Sequence, residues 1–249
     1  MSRVKNAENL IKYLEDRVNC KNVIKFIEEG QNESLNKLVI NNIFVAFEII
    51  NYHDRDTSEA HNKTWLNNII KIYDFMTESN YTGFDYFPYL YGVLLCPNEN
   101  TSKMYTFREY FDTDITVLTK SIIHNSEWYD IAFQIVMTVY YLRIVNGYNS
   151  EMQMDDFLFN KLQKPYHKDY ILNETKVTIN HKCLISFWNP EITKTENENK
   201  PDIKFLLDYL QEKKDDIIIP SPKINNFLES INNNLESTPK IISEFYTTK

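Results

Sequence analysis

Glycine is scarce in this chain, at 4 of 249 residues. A loop that wraps closely around phosphate groups needs glycine, because a side chain would hold the backbone away from the ligand. Such a loop would have to use Gly30, Gly83, Gly92 or Gly147, and no two of these lie close together. The sequence therefore excludes a phosphate-binding loop built from several glycines.

Cysteine is also rare. Cys20, Cys96 and Cys183 lie far apart and form no CxxC pair, so neither a disulfide framework nor a zinc ribbon is indicated. We expect three reduced, mostly buried thiols. No histidine pair has metal-ligand spacing, so no metal site is predicted and each histidine is expected to be a surface or capping residue. The histidines are His53, His61, His124, His167 and His181.

Long hydrophobic runs and an excess of positive charge are both absent. Asp130, Gln134 and Arg143 interrupt the most apolar stretch, residues 128–145, and no signal sequence precedes it. The chain has 27 Lys+Arg against 35 Asp+Glu, a net charge of −8. This charge argues against nucleic acid or an anionic membrane as the main partner. We expect a protein of the cytosol or nucleus, or one packaged from there.

The remaining composition is that of an ordinary folded protein, with 43% hydrophobic and 25% charged residues. The length allows one large domain or two small ones. Asn, Ile, Lys, Tyr and Phe are abundant, and these are residues that AT-rich codons encode. The composition therefore suggests an AT-rich genome.

Hydrophobic periodicity predicts a mixture of helices and strands. The clearest helix is expected to stop near Gly147, and the Ser/Thr-rich C-terminal end is expected to fray unless it docks. The predicted helices are Asn6–Asn19, Trp65–Met76, Trp128–Leu142, Ile203–Leu210 and Ile224–Leu235, and the predicted strands are Phe44–Ile50, Tyr89–Leu95, Met104–Phe111, Phe157–Phe159, Lys176–Ile179 and Leu184–Trp188.

In this order, residues 23–210 resemble the protein-kinase fold. They are most similar to the short, divergent serine/threonine kinase-like proteins of large nucleocytoplasmic DNA viruses, such as iridoviruses and mimivirus relatives. Four segments carry the resemblance: a strand entry at Phe87–Gly92, a strand running into a hinge at Tyr105–Phe111, a helix containing Phe133–Met137, and Phe157–Phe159 after a catalytic-loop-like stretch.

The resemblance implies an α+β, two-lobed, kinase-like fold. Residues 1–112 would form a small β-rich N-terminal lobe with a leading helix, and residues 113–249 a truncated helical C-terminal lobe. Few residues follow Asn189, and no Ala-Pro-Glu motif is among them. The platform that holds a protein substrate in the family is therefore expected to be missing.

The nucleotide-binding motifs of the family are broken. Residues 27–35 align with its glycine-rich loop and keep only Gly30, with Glu28 and Glu33 at the outer glycine positions. Glu48 replaces the lysine of the Val-Ala-x-Lys strand, and its helix partner would be Asn67 or the neighbouring Asn68. Two unit charges about 4 Å apart interact with roughly 4 kcal/mol at an effective dielectric constant of about 20. Replacing the lysine by Glu48 would turn this attraction to a phosphate into a repulsion.

The catalytic motifs are altered as well. Asn149-Ser150-Glu151, followed by Asp156, stands where the family has His-Arg-Asp and a later Asn. Asn189-Pro190-Glu191 replaces the metal-binding Asp-Phe-Gly, and a register three residues earlier would place Ser186-Phe187-Trp188 there. Either register loses the carboxylate that binds magnesium.

We therefore expect a catalytically inactive pseudokinase without cofactor or metal, which acts by protein–protein interaction in the host cytoplasm or in the virion. Its partner would be a host or viral kinase, a defence component or a virion protein. The alternative is an active atypical serine/threonine kinase that uses Glu151, Asp156 and Asn189 with Mg·ATP. The basic stretch Lys161–Lys168 is expected to be an exposed hairpin.

Overall fold

The chain divides at Phe111 into two units, Met1–Phe111 and Asp112–Lys249. This boundary lies one residue from the predicted division. The computed structural model describes residues 3–30, 36–51, 70–79, 86–96, 103–117, 127–148, 152–189, 203–215 and 220–247.

The described part of the first unit combines helices with a four-stranded antiparallel sheet, whose strands lie in the spatial order Lys37–Ile40 (β1), Ile43–Asn51 (β2), Lys103–Glu109 (β4) and Leu90–Cys96 (β3). Asn41 and Asn42 have φ angles of 51° and 63°, and Ile40 pairs with Ile43. This is the backbone of a two-residue hairpin turn, and asparagine tolerates it. The elements are α1 (Arg3–Arg17), α2 (Val23–Gly30), β1 (Lys37–Ile40), β2 (Ile43–Asn51), α3 (residues 70–79), β3 (Leu90–Cys96) and β4 (Lys103–Glu109).

Helices α1 and α2 pack on one face of this sheet. Successive side chains of a strand point to opposite faces, so Val45 and Phe47 of β2 share the buried face. The side chains of this core include Ala7, Leu10, Leu14, Val23, Ile27, Leu38, Val45, Phe47 and Phe107. The predictions for α1, β2, β3 and β4 are confirmed, with ends shifted by a few residues. The predicted helix Trp65–Met76 is described only from residue 70, and it continues to residue 79.

The prediction of three reduced thiols is wrong for two of them. Cys20, in the turn after α1, forms a disulfide with Cys96, the last residue of β3. The two are 76 residues apart in the sequence, so spacing alone did not pair them. Cys183 is free and buried, as predicted.

The second unit is organised around helix α4, whose side chains are nearly all buried. A single π-helical turn, Tyr141–Val145, continues it, and Gly147 follows with a φ of 68°, in agreement with the predicted stop. The elements are β5 (Thr113–Asp114), α4 (Trp128–Tyr140), β6 (Phe157–Leu172), β7 (Thr175–Phe187), α5 (Lys204–Glu212), α6 (Pro222–Asn233) and α7 (Thr238–Thr247).

Strands β6 and β7 form one long hairpin in a sheet of order β5-β6-β7. The three short strands predicted between residues 157 and 188 are therefore parts of two long strands. Asn173 and Glu174, both with positive φ, make the connecting turn. The basic stretch Lys161–Lys168 lies on β6, where most of its side chains are exposed.

Up to Thr247, the C-terminal segment forms helix α7, which docks on the rest of the unit. Ile242 is buried, Phe245 stacks on Phe227 with ring centroids 4.3 Å apart, and the Tyr246 hydroxyl donates to the carbonyl oxygen of Tyr129. An apolar face and ring stacking thus stabilise a segment whose composition indicated a loose end.

A buried polar network fastens the hairpin to α4. Asp130, 2% exposed, accepts hydrogen bonds from the backbone nitrogens of Lys182 and Cys183 at 2.6 and 3.1 Å, and pairs with Nδ1 of His181 at 2.7 Å. The Tyr170 hydroxyl lies 2.8 Å from His181 Nε2. The expectation of a surface or capping histidine is therefore wrong for His181, which is 1% exposed.

Among the other histidines, His167 is exposed as predicted. His53, His61 and His124 lie outside the described residues.

We predict that Asp130→Ala lowers the free energy of unfolding by about 3–5 kcal/mol, because it leaves several buried donors without an acceptor. Urea denaturation measures this loss. The control is Asp208→Ala, which truncates an exposed aspartate of α5 and should change stability by less than about 0.5 kcal/mol. Equal stabilities of the two variants would contradict the role given to Asp130.

Candidate functional site

In the first unit, the candidate site is the sheet face opposite α1 and α2, where the side chain of Glu48 lies. Glu48 follows Phe47, whose side chain is in the core with the two helices, so it points to the other face. Strand β4 is its neighbour, with Glu48 opposite Thr106 and Ala46 opposite Arg108. Arg108 is therefore the diagonal neighbour of Glu48 on the same face.

Glu48 and Arg108 form an ion pair. Nη2 of Arg108 lies 2.9 Å from Oε1 of Glu48, and Nε lies 3.3 Å from the same oxygen. The side chains are 11% exposed for Arg108 and 27% for Glu48. Nη1 of Arg108 also donates to the carbonyl oxygen of Glu109 at 3.2 Å. The negative charge of Glu48 is thus neutralised by a side chain of the neighbouring strand.

Helix α3 brings a phenol to this pair. Tyr73 is 2% exposed, and its pKa is raised by burial and, to a smaller extent, by the negative charge of Glu48. The positive charge of Arg108 acts in the opposite direction. The phenol of Tyr73, which lies close to Glu48 in the described part of α3, is therefore neutral. The predicted partner positions Asn67 and Asn68 lie outside the described residues.

The prediction of a glycine-rich loop at residues 27–35 is wrong for residues 27–30, the part of the segment up to Gly30 that the structure describes. Glu28 and Gly30 belong to helix α2, which buries Val23 and Ile27 against the sheet. Gly30 ends this helix, and a Cβ added to it would meet Leu38 Cδ2 at 3.5 Å, an ordinary contact. No close backbone approach therefore requires this glycine. Glu33 lies outside the described residues.

In the second unit, two of the predicted site residues meet. Asn189 Nδ2 donates to Oδ1 of Asp156 at 3.1 Å, and the backbone nitrogen of Gln153 donates to Oδ2 at 2.8 Å. The cause is the hairpin: Phe157 pairs with Phe187, so the residue before β6 and the residues after β7 lie side by side. The backbone nitrogen of Trp188 donates to the Asp156 carbonyl oxygen at 2.8 Å.

The environment of Asp156 disfavours its ionised form. Burial raises its pKa, the charge of Asp155 adds to this effect, and the hydrogen bonds from Gln153 and Asn189 lower it. Within the described ranges, no group of three or more His, Cys, Asp or Glu side chains is arranged to hold a metal ion. What the described site offers chemically is one carboxylate and one amide. Glu151, Asn149, Ser150, Pro190 and Glu191 lie outside the described residues.

Two features of these sites escaped the reasoning from sequence. The ion pair was missed because Arg108 becomes a neighbour of Glu48 only through the register of β2 with β4. A period-two pattern in both strands was the available signal, since both side chains fall on the same face. The buried pair of Asp130 with His181 was missed because 51 residues separate its members.

The described residues contain no helix long and apolar enough to cross a membrane.

Comparison with known proteins gives a viral relative. No protein-family model matches the chain. An uncharacterized protein of Acanthamoeba polyphaga mimivirus is 37% identical over an alignment of 272 positions, which covers 99% of this chain and 99% of the relative. This identity over the full length of both proteins places the two in one family of viral proteins.

We predict that the pair of Glu48 with Arg108 is coupled by about 1–2 kcal/mol in a double-mutant cycle. Arg108→Met should destabilise the protein by about 1–3 kcal/mol, because it leaves a half-buried carboxylate without its cation. Combining it with Glu48→Gln should recover part of this loss. Urea denaturation of the four proteins measures the coupling, and strictly additive effects would contradict the ion pair.

We also predict that the stability of the wild type relative to Asp156→Asn falls as the pH rises above about 4. The folded state raises the pKa of Asp156, so it binds this proton more tightly than the unfolded state does. The resulting stability is present at acid pH and is lost as the pH rises through the raised pKa. Asp208→Asn, at an exposed position of α5, controls for the removal of one negative charge. A relative stability that rises with pH would contradict this prediction.

Proposed function

We propose that the chain, which belongs to the same viral protein family as the mimivirus relative, is a catalytically inactive kinase-like protein that acts by binding another protein. The observation that carries this proposal is the ion pair of Glu48 with Arg108. In the family that the sequence resembles, the position of Glu48 holds the lysine that pairs with the phosphates of ATP.

The order of the elements supports a kinase-like, two-lobed α+β fold. After α1 and α2, two strands, a helix and two further strands complete the described part of the first unit, with that helix between β2 and β3. Helix α4, the short helical turn Met154–Asp156 and the hairpin β6–β7 follow in the second unit. The resemblance leads us to expect this order, in which Glu48 and Asp156 occupy the lysine and catalytic-loop positions.

The electrostatics of Glu48 argue against binding of ATP. A triphosphate that recruited Arg108 would separate it from Glu48 and leave the carboxylate facing the phosphates. At about 4 Å and an effective dielectric constant of about 20, this repulsion amounts to roughly 4 kcal/mol for each unit charge. That corresponds to an affinity loss of about a thousandfold. We therefore expect no useful affinity at cellular concentrations of ATP.

The proposed partner is a protein, because the net charge of −8 disfavours nucleic acid and anionic membranes. A host or viral kinase, a defence component and a virion protein all fit a kinase-like fold kept for binding. The proposed locations are the host cytoplasm and the virion. Pull-down from infected cytosol, compared with mass spectrometry of purified particles, distinguishes them.

One observation favours a second candidate, an active atypical serine/threonine kinase. Asp156 and Asn189, which align with the two metal-binding positions of the family, lie within hydrogen-bond distance of each other. In this alternative they would share one Mg²⁺ that arrives with ATP, and Glu151 would act as the base. The pair of Glu48 with Arg108 makes this the weaker candidate. The nucleotide that carries the metal would meet a glutamate at the position where the family has a phosphate-binding lysine.

We predict that 10 mM Mg·ATP leaves the melting temperature of the full chain unchanged to within about 1 °C, since only a ligand of the folded state raises it. We also predict no incorporation of radiolabelled phosphate. An upward shift of several degrees, or incorporation that Asp156→Ala abolishes, would overturn the proposal in favour of the active kinase. Mg²⁺ without nucleotide is the control for a general salt effect.

A further inference from the structure

The disulfide between Cys20 and Cys96 lies at one end of a helix whose other end is also fastened. At the start of α1, Arg3 makes a bidentate ion pair with Glu109, with Nη2–Oε2 and Nε–Oε1 distances of 2.6 and 2.8 Å. At the far end, the turn after α1 is joined covalently to the end of β3, with a Cα–Cα distance of 5.3 Å.

The lengths of the two elements match. Helix α1 has 15 residues and β3 has 7, which correspond to about 22 Å and about 23 Å. Helix α1 therefore follows the edge strand from one end to the other, fastened by an ion pair at its start and by a disulfide at its end. Between these points, Leu10 and Leu14 are buried in the core beside the sheet.

The three cysteines differ in their access to an oxidant. Cys20 is exposed and Cys96 is half-buried, so the disulfide of an oxidising protein can reach the pair. Cys183 is buried, and burial together with the charge of Asp130 raises its pKa well above the usual value. Oxidation is therefore directed to Cys20 and Cys96, and Cys183 remains a thiol.

We propose that Cys20 and Cys96 are oxidised to the disulfide in the working protein, and that this viral protein therefore works in the assembled particle and not in the reducing cytosol. Disulfides persist in oxidising environments, virions among them, and are rare where glutathione and thioredoxin keep thiols reduced. This inference does not depend on the kinase-like fold. It favours the virion component over the cytosolic decoy among the roles proposed above.

The oxidation is a thiol–disulfide exchange with an oxidised protein dithiol. A thiolate of the pair attacks the donor disulfide, and a mixed disulfide forms as the first donor thiol leaves. The second cysteine then displaces the other donor sulfur, which closes the bond between Cys20 and Cys96. The pair loses two electrons and two protons, and the donor gains them as two thiols.

The first test counts thiols in the virus. Purified particles and infected cytosol are quenched with acid, denatured and alkylated with N-ethylmaleimide before any reduction, and the full chain is analysed by mass spectrometry. The proposal expects one adduct per chain in particles, on Cys183, and three after reduction. Three adducts in unreduced particles, absence of the chain from particles, or an oxidised chain found only in a secretory lumen would each overturn it.

The second test measures what the bond does in the purified full chain. Dithiothreitol should lower the wild-type melting temperature by on the order of 10 °C, because the bond restrains the unfolded chain across a separation of 76 residues. Cys183→Ser is the matched control and should keep this response, whereas Cys20→Ser/Cys96→Ser should lose it. If the double variant does not fold, the reversible response of the wild type decides. A wild type unaffected by dithiothreitol would contradict the proposed bond.

Discussion

Glu48 and Arg108 neutralise each other on the sheet face opposite α1 and α2, and the proposed function depends on that contact. An unpaired carboxylate at this half-buried position would be costly, so the protein retains the cation from β4 beside it. In this pair, guanidinium donors of Arg108 that a phosphate would need are bonded to Glu48, whose negative charge would repel the phosphate. If the fold is kinase-like, as proposed, an architecture that suits nucleotide binding in that family is here stable without a nucleotide.

Several polar side chains of the second unit likewise form their hydrogen bonds within the fold. Asp130 and Gln134 interrupt the most apolar segment of the sequence, yet both are buried in α4 and bind the backbone of β7. Asp156 and Asn189 join the two ends of the hairpin. In each case a group able to do chemistry forms hydrogen bonds within the fold, which is consistent with the binding role proposed above.

Local pattern predicted α1, which alternates between core and solvent at helical spacing, and the more continuously apolar elements β2, β4 and α4. It gave no helix at α2, whose last residues were assigned to a glycine-rich loop by the kinase resemblance, although Val23 and Ile27 face the core. It also divided β6 and β7 into short pieces, because the exposed arm of the hairpin lacks apolar alternation. Contacts between distant segments, among them the disulfide and the partner of Glu48, follow from strand register and helix packing, which a single sequence does not contain.

Direct titration of Mg·ATP into the purified chain tests the central claim. Isothermal titration calorimetry at millimolar nucleotide should give only the heat of dilution, both for the wild type and for Glu48→Gln, because removing the acid does not supply the missing lysine. Saturable binding of one nucleotide per wild-type chain with a dissociation constant below about 1 mM would contradict the claim, since the paired Glu48 and Arg108 would then tolerate a triphosphate.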